Sequence, residues 1–293
     1  MSVPPETETR NARTSGLDTL GIDALVALLS SEQRLAAEAV EAATPQIARA
    51  VEAIVARLGA GGTLHSFGAG TSGRLAMLDA AECPPTFGTP PSLVVAHVAG
   101  GAPALVAAIE GAEDDGAAGA AEAHAHLRSS DVALGLSASG GAPYVLGALA
   151  AARACGALTI GITSVAASPL ARESELAIVV ATGAEPLAGS TRLKAGTAQK
   201  LVLNAISTAT MVRLGRVYDN VMVDVVATNA KLHARALRLV RSLANVDDAH
   251  ARALLAAADG RVKVAVVMAA RSVDAAGARD LLAASGGFLR AVL

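Results

Sequence analysis

Short apolar segments alternate with longer segments of helical periodicity through the first two thirds of the chain. Five apolar runs predict buried strands, at residues 63–67, 93–98, 132–137, 158–163 and 177–181. Near-continuous apolar strands separated by helices are typical of a mainly parallel sheet that is covered on both faces. We therefore predict an α/β fold with a mainly parallel five-stranded sheet flanked by helices.

The helical patterns outside the sheet predict how the ends of the chain are organised. Residues 30–58 carry apolar side chains at helical spacing and predict one long helix with a break near Pro45. Further long helices are expected at 199–214 and 221–243, and the segment 252–263 recurs in similar form at 279–290, with Gly260 and Gly286 to Gly287 as helix stops. The predicted division is an N-terminal arm (1–29), flexible at its start, a central domain (30–244) and a small all-helical C-terminal domain (245–293).

Composition removes several classes of function. The 293-residue chain is 53% hydrophobic but only 2% aromatic, and its formal net charge is −2. It lacks the basic footprint of a nucleic-acid binder, so a small-molecule partner is expected and a nucleic acid is not. Residues 1–15 contain no apolar signal-peptide core. The uncharged stretch 132–152 is interrupted by serines, glycines and a proline, so it predicts strand, loop and helix and no membrane span.

The strongest chemical signal is the glycine-rich turn Gly68-Ala-Gly-Thr-Ser-Gly73, between a predicted strand and a predicted helix. Backbone N–H groups at a helix N-terminus bind anions, and the Thr71 and Ser72 hydroxyls add donors, so we predict a phosphate site that includes Gly70, Thr71, Ser72 and Gly73. The same spacing matches a dinucleotide fingerprint. That fingerprint needs an acidic residue at the end of the second strand, and residues 98–102 contain none, so no nicotinamide cofactor is expected.

Two further loops are expected at the same edge of the sheet, because the carboxyl ends of parallel strands lie together. Ser137 and Ser139 follow a predicted strand, and Ser190 and Lys194 precede a predicted helix. Taken singly, a serine before a helix is usually only a cap. The prediction that these four residues also bind phosphate depends on the three loops meeting.

Two glutamates are candidates for proton transfer. Pro84 and Pro85 predict the end of the helix that starts at the glycine-rich turn, which leaves Glu82 beside its negative end and favours a proton donor there, provided that Glu82 is also partly buried. Glu113 lies in an acidic cluster, where like charges raise the pKa of a carboxyl group, and it is a candidate base if it reaches the same site.

The cysteines and histidines do not predict a metal site or a cofactor. Cys83 and Cys155 are too few for a disulfide framework or a zinc site, which suits a reducing cytoplasm. His124 and His126 are one residue apart in a helical stretch and point in different directions. Two further histidines fall in predicted strands and are expected in the core or lining a cavity, namely His65 and His97.

Several long motifs resemble those of the bacterial N-acetylmuramic acid 6-phosphate etherases, a family of the sugar isomerase (SIS) fold group. They cover residues 68–74, 78–87, 109–115, 189–204 and 220–229. The resemblance implies a sugar-phosphate substrate, cleavage of its D-lactyl ether by elimination and hydration, and a cytoplasmic homodimer without a cofactor. It also places the family's proton donor on Glu82 and its second catalytic glutamate on Glu113.

Three positions depart from the family pattern: Gly141 replaces a common arginine, Ala102 replaces a frequent glutamate, and residues 164–168 lack the usual Cys-Asn-Pro-Gly-Ser. None of them alters either glutamate or the glycine-rich turn, so they bear on substrate affinity. Two other functions remain open at this point: a non-catalytic sugar-phosphate sensor and an aldose-ketose isomerase. Release of lactate separates the etherase from both.

Overall fold

The computed structural model describes residues 4–225 and 230–293. Five parallel strands form one sheet in the order β2-β1-β3-β4-β5, and they are β1 (Leu64–Gly68), β2 (Val94–Val98), β3 (Val132–Leu136), β4 (Leu158–Thr163) and β5 (Leu176–Val179). Every residue of β1, β3 and β4 is buried. Continuous apolar strands predict this environment, and the predicted parallel α/β sheet is confirmed with each strand boundary within two residues.

Helices make up most of the rest of the described chain. In order they are α1 (Ile22–Ala42), α2 (Thr44–Gly59), α3 (Gly70–Phe87), α4 (Gly116–His126), α5 (Pro143–Ala154), α6 (Pro169–Glu173), α7 (Lys194–Arg213), α8 (Ala230–Ala244), α9 (Asp248–Ala257), α10 (Val262–Arg271), α11 (Ala275–Ala284) and α12 (Leu289–Val292). Among the described residues, no helix is both long enough and apolar enough to cross a membrane.

The chain forms two compact units. The sheet unit runs up to Ala80 and resumes over Ser92–Ile206, and the helical unit comprises Ala81–Pro91 and Ser207–Leu293. This grouping describes packing within the folded chain. The sequence-based division at residues 29/30 and 244/245 stays a prediction about domains.

The helix predicted at 30–58 is present as two helices, α1 and α2, that meet at Ala43. Pro45 lies in the first turn of α2, where its missing N–H has no intrahelical acceptor to lose. The predicted break is confirmed. Helix α1 starts at Ile22, eight residues earlier than the apolar spacing indicated.

The predicted helix stop at Pro84 and Pro85 is wrong. Helix α3 continues through both prolines to Phe87, and the N–H of Gly88 closes its last turn by donating to the Pro84 carbonyl at 2.9 Å. Prolines remove the donors that would reach the carbonyls four residues earlier. Pro84 and Pro85 therefore leave the carbonyl groups of Ala80 and Ala81 without their helical donors.

The start of the chain is not the flexible arm that its polar sequence predicts. Residues 6–19 form three short 3-10 helices, Glu6–Glu8, Ala12–Thr14 and Leu17–Thr19, and they contain buried side chains. The Asn11 side chain donates to the Ala184 carbonyl at 3.2 Å, and Thr14 donates to the Pro186 carbonyl at 2.8 Å. We call residues 6–19 the N-terminal strap, since these contacts hold it on the segment before α7.

The helical unit is built around the recurrent segments that the sequence shows. Helices α9 and α11 are capped in the same way, with Asp247 accepting from the N–H of His250 and Asp274 accepting from the N–H of Gly277, each at 2.8 Å. Both helices end just before Gly260 and Gly286, respectively, so the predicted glycine stops are confirmed.

The helix predicted at 221–243 is partly wrong. An antiparallel hairpin, β6 (Val217–Tyr218) and β7 (Val221–Met222), occupies its start, and α8 begins at Ala230. The stretch between them includes 226–229, which lie outside the described residues. A local hairpin replaces the predicted start of this helix, because β7 pairs with β6 only a few residues earlier in the chain.

Candidate active site

The glycine-rich turn connects β1 to α3 and is shaped by close backbone contacts. Gly70 has φ +52, which favours glycine, and it is exposed. A Cβ atom at Gly73 would lie 2.6 Å from both the Gly68 carbonyl oxygen and Val98 Cγ2. Only glycine lets α3 approach the ends of β1 and β2 this closely. The first N–H groups of α3 have no acceptor within the helix, so the turn presents a concentrated set of donors at the edge of the sheet.

Ser72 links this turn to α7. Its hydroxyl group donates to Oε1 of Gln199 at 2.8 Å, and both side chains are buried. The amide nitrogen of Gln199 is also buried and has no hydrogen-bond partner among the described residues. An unpaired buried donor costs roughly 1 to 3 kcal/mol. Gln199 is therefore a site residue that the sequence analysis missed, although it lies within the motif 189–204.

The segment before α7 meets the same turn. A Cβ atom at Gly196 would lie 3.3 Å from Cγ2 of Thr71, so the start of α7 lies directly beside Thr71. Strand pairing brings the third loop close as well, because Gly68 is the register partner of Leu136, the last residue of β3. The structure thus brings together the loops that hold Thr71, Ser137 and Ser190.

The loop after β3 is held by its own serines. Ser137 Oγ accepts from the N–H of Gly140 at 3.0 Å, and Ser139 Oγ accepts from the N–H of Gly141 at 3.3 Å. Ser137 is buried and Ser139 is half-buried. Gly140 has φ +71, and a Cβ atom there would collide with Ser168. A Cβ atom at Gly141 would meet only Ser139 Oγ, at 3.8 Å, so this departure from the family leaves open space.

Lys194 is not exposed at the edge of the sheet. It is completely buried, and its Nζ atom lies 3.1 Å from Oε2 of Glu32. Glu32 also accepts from the guanidinium group of Arg13 at 2.6 and 3.0 Å and from the Asn11 amide at 2.8 Å. These contacts, led by the Arg13 hydrogen bond, lower the pKa of Glu32 to about 2. Lys194 as a phosphate ligand stays a prediction; in this structure its charge is balanced by Glu32.

Helix α7 carries its own anion. The carboxylate of Glu185 accepts from the N–H of Lys194 at 2.8 Å and from the N–H of Ala195 at 2.9 Å, and its side chain is completely buried. Burial raises the pKa of Glu185, and these two backbone bonds oppose the rise. Glu185 therefore occupies the position where a phosphate would bind at this helix N-terminus.

The two predicted catalytic glutamates are both exposed, each in its own unit. Glu82 lies on α3 in the segment Ala81–Pro91 of the helical unit. The expected position of Glu82 beside the end of its helix is wrong, because α3 continues to Phe87, and its side chain is exposed where partial burial was required. Glu113 lies in the 3-10 helix Ala112–Asp114 of the sheet unit. The pKa of Glu113 is raised, first because the surrounding protein removes part of its hydration and second because Asp114 is negative. A raised pKa makes its carboxylate a stronger base.

Arg74 positions the segment that leads to Glu113. Its Nε donates to the Ala104 carbonyl at 2.9 Å, and its Nη2 donates to the Ala107 carbonyl at 2.9 Å. Arg74 follows directly after Gly73, so one side chain ties the glycine-rich turn to the loop between β2 and α4. The motif Gly68–Arg74 contains this residue, but a single arginine gave no signal of where its partners lie.

A separate cavity of about 870 Å³ lies in the helical unit. Several charged side chains line it, including Arg216, Asp224, Lys263 and Arg279. The described residues that line it include none of the predicted site residues. We therefore place the candidate site at the sheet edge, where the predicted loops meet.

The fold and the three loops define the sheet unit as a SIS domain. A model of the SIS domain matches residues 114–209, and a model of the glucokinase regulatory protein N-terminal SIS domain matches residues 46–153. Among solved structures, phosphoheptose isomerase from Neisseria gonorrhoeae is 20% identical with a TM-score of 0.50, over 64% of this chain and 97% of that one. At this level of identity the likeness concerns the fold alone.

Whole-chain comparison is more specific. The N-acetylmuramic acid 6-phosphate etherases of Salmonella typhimurium and Salmonella typhi are each 51% identical to this chain over 287 residues, covering 98% of this chain and 97% of theirs. The chain belongs to the N-acetylmuramic acid 6-phosphate etherase family. The resemblance drawn from the motifs is thereby confirmed.

Proposed function

We propose that this protein cleaves the D-lactyl ether of N-acetylmuramate 6-phosphate and releases N-acetylglucosamine 6-phosphate and D-lactate. The observation that carries the proposal is 51% identity to etherases over 98% of the chain. The geometry supports it, because the first N–H groups of α3 have no acceptor within the helix and can donate to a phosphate. No described feature favours a sensor or an isomerase over this activity.

The phosphate is bound by the turn Gly70 to Gly73, remote from the reacting carbons. Rotating the Gln199 amide by 180° makes its nitrogen the donor to Ser72 Oγ and frees the Ser72 hydroxyl proton for a phosphate oxygen. The buried amide nitrogen, which otherwise has no partner in the described part of the chain, then gains an acceptor. Binding energy from this remote group orients the sugar ring for reaction.

The reaction follows from the open-chain sugar. Its C3 ether oxygen lies β to the C1 aldehyde, so the C2 proton is acidic and lactate leaves by elimination. Water then adds at C3, and a proton returns to C2. Glu113, whose pKa is raised, takes up the proton from C2 or from water, and Glu82 protonates the departing lactyl oxygen. Ser137, Ser139 and Ser190 contribute further polar contacts at the phosphate, and Lys194, whose charge is balanced by Glu32, helps to hold the start of α7 beside them.

We also propose that the enzyme works as a homodimer in the cytoplasm. The two glutamates are exposed in the single chain, whereas general acids and bases work best where water is excluded. A second copy covering these carboxylates would supply that exclusion. Light scattering at micromolar concentration that gives only the 29.0 kDa monomer contradicts this part of the proposal.

The test of the function is lactate release in isotopically labelled water. Elimination followed by hydration places solvent oxygen at C3 and solvent hydrogen at C2 of the amino sugar. Glu82→Gln keeps the side-chain shape but cannot transfer a proton, so turnover should fall by about 10² to 10⁴ while binding survives. Glu82→Gln and Glu113→Gln combined with normal lactate release would refute the catalytic assignment, and binding without lactate release by the wild type would identify a sensor.

A further inference from the structure

Five polar side chains form a continuous chain of contacts from the start of β1 across β2 to α4, and none of them is among the residues assigned to the phosphate. Oγ1 of Thr63 lies 2.9 Å from Nε2 of His65, and Nδ1 of His65 lies 3.0 Å from Nε2 of His97. Nδ1 of His97 lies 2.8 Å from Oε1 of Glu122. The same oxygen lies 3.4 Å from Nε2 of His126, one helical turn further along α4.

We propose that His97 Nδ1, Glu122 Oε1 and His126 Nε2 bind a divalent transition-metal ion, best matched by Zn²⁺, with a fourth position open to water. The three ligand atoms all lie within 4.8 Å of one another. Ligand atoms of a tetrahedral zinc site lie about 3.3 Å apart, given metal–ligand distances of about 2.0 to 2.1 Å. The contact between Glu122 and His126 already has this spacing, and that between His97 and Glu122 must lengthen by about 0.5 Å.

The ring of His97 is held ready for this role. It is buried at 7% exposure and stacks on Phe67, with ring centroids 4.6 Å apart and planes inclined by 12°. Its other nitrogen contacts His65, which provides the outer hydrogen bond that typically orients a metal-bound histidine. Glu122 and His126 are about half exposed, so an ion can enter from solvent. The site is thus rigid on one side and accessible on the other.

The rings of His65 and His97 can both stay neutral when the metal binds, because the hydrogen bonds between them can reverse direction. With both rings neutral, His97 donates from Nδ1 to Glu122 and accepts from His65, whose Nε2 accepts from Thr63. When a metal binds, each ring carries its single proton on Nε2 instead, so His97 donates to His65 and His65 donates to Thr63. The change frees His97 Nδ1 and keeps both rings neutral.

The ion would fasten the edge strand β2 to α4. Within residues 4–225 and 230–293, β2 has a hydrogen-bonded strand partner only on its β1 side, and an edge strand gains from such a cover. The sequence predicted no metal here because His124 and His126 point in different directions along the helix. The fold supplies the missing partners, His97 from the strand and Glu122 from one helical turn earlier.

The experiment measures Zn²⁺ affinity of tag-free protein by competition with a chromophoric chelator. His126→Gln removes an exposed ligand and should weaken binding by about tenfold or more. His124→Gln is the matched control: it lies two residues away on α4, is exposed, and should leave the affinity unchanged. Cobalt(II) should give the intense visible bands of a tetrahedral site with the wild type and the control and lose them in His126→Gln.

Thermal unfolding provides a readout that does not involve lactate release. Added Zn²⁺ should raise the Tm of the wild type and of His124→Gln, and it should leave the Tm of a Glu122→Gln, His126→Gln double variant unchanged. Equal Zn²⁺ affinity of the wild type and His126→Gln would overturn the proposal. Equal losses in His124→Gln and His126→Gln would overturn it as well, since they would reveal unspecific surface binding.

Discussion

Two helix N-termini meet at the carboxyl edge of the sheet, and they are built in opposite ways. Helix α3 begins with glycines and hydroxyl groups, and its first N–H groups face the edge of the sheet without an intrahelical acceptor. Helix α7 begins next to Glu185, whose carboxylate accepts from two of its N–H groups. The first arrangement can receive a phosphate, whereas the second already holds an anion. A helix N-terminus indicates a ligand site only when no side chain of the protein already accepts from its first N–H groups.

The side chains packed against the starts of α3 and α7 also differ in charge. Lys194 is neutralised by Glu32, and Glu32 in turn binds Arg13 of the N-terminal strap. At the start of α3, by contrast, the contact is the neutral pair Ser72 and Gln199, and the Gln199 amide nitrogen has no partner among the residues that the structure describes. We therefore expect substitutions near α7 to affect stability and substitutions near α3 to affect substrate binding.

The largest expected effect is a loss of stability when the ion pair at the start of α7 is broken. Glu32→Gln should destabilise the protein by about 3 to 5 kcal/mol, because it leaves the buried ammonium group of Lys194 without its counter-charge. Chemical denaturation measures this change. Glu38→Gln on the exposed face of the same helix is the control and should change stability by less than about 0.5 kcal/mol. Similar losses in the two variants would mean that the ion pair has no special role.

Acid should lower the stability of the folded protein by protonating Glu32. The pKa of Glu32 is lowered from 4.5 to about 2, so its ionised form contributes stability above pH 4.5, and this contribution is lost as the pH falls toward 2. Stability should therefore decline over this range, and the decline should be smaller in Glu32→Gln than in the wild type. Parallel pH profiles of the two proteins would contradict the assignment.

The next largest effect is a loss of substrate affinity when the start of α3 is changed. Ser72→Ala should weaken binding of the phosphorylated sugar by about 1.5 to 3 kcal/mol, the range for one hydrogen bond to a charged group. Titration calorimetry measures this loss on protein whose folding is checked by circular dichroism. Unchanged affinity would remove Ser72 from the phosphate site.

The smallest effect concerns Gly141. Because a side chain there meets open space, Gly141→Arg should fold normally and lower the KM for the phosphorylated sugar a few-fold, through an exposed charge worth roughly 0.2 to 1 kcal/mol. Gly141→Gln, which adds bulk without charge, is the control. An equal change of KM in both variants would show that charge is not the cause.

The contrast between α3 and α7 also marks what the sequence could reveal. Strands β1 to β5 and the glycine-rich turn were predictable, because apolar runs and the spacing of glycines between a strand and a helix are local features of the sequence. The roles of Lys194 and Asn11 were not, since their partners are far away in sequence: Glu32 is 162 residues from Lys194, and Ala184 is 173 residues from Asn11.

The sequence-based predictions at the two prolines of α3 and at His97 were wrong or incomplete because contacts in the folded chain decide both. Pro84 and Pro85 lower helix propensity, but α3 continues through them, so tertiary packing outweighs the local preference. His97 carried no signal of metal binding, because its partners Glu122 and His126 come from a helix that folds against its strand. Local pattern predicts elements and backbone-made sites, whereas side-chain clusters depend on the assembled fold.

The most direct test of the difference between the two termini is the contribution of the 6-phosphate to binding. It is measured by titrating N-acetylmuramate with and without its phosphate into the wild type, Ser72→Ala and Glu185→Gln. The phosphate contribution should shrink by about 1.5 to 3 kcal/mol in Ser72→Ala and stay at the wild-type value in folded Glu185→Gln. A contribution that is unchanged in Ser72→Ala but altered in Glu185→Gln would place the phosphate at α7 and contradict the account.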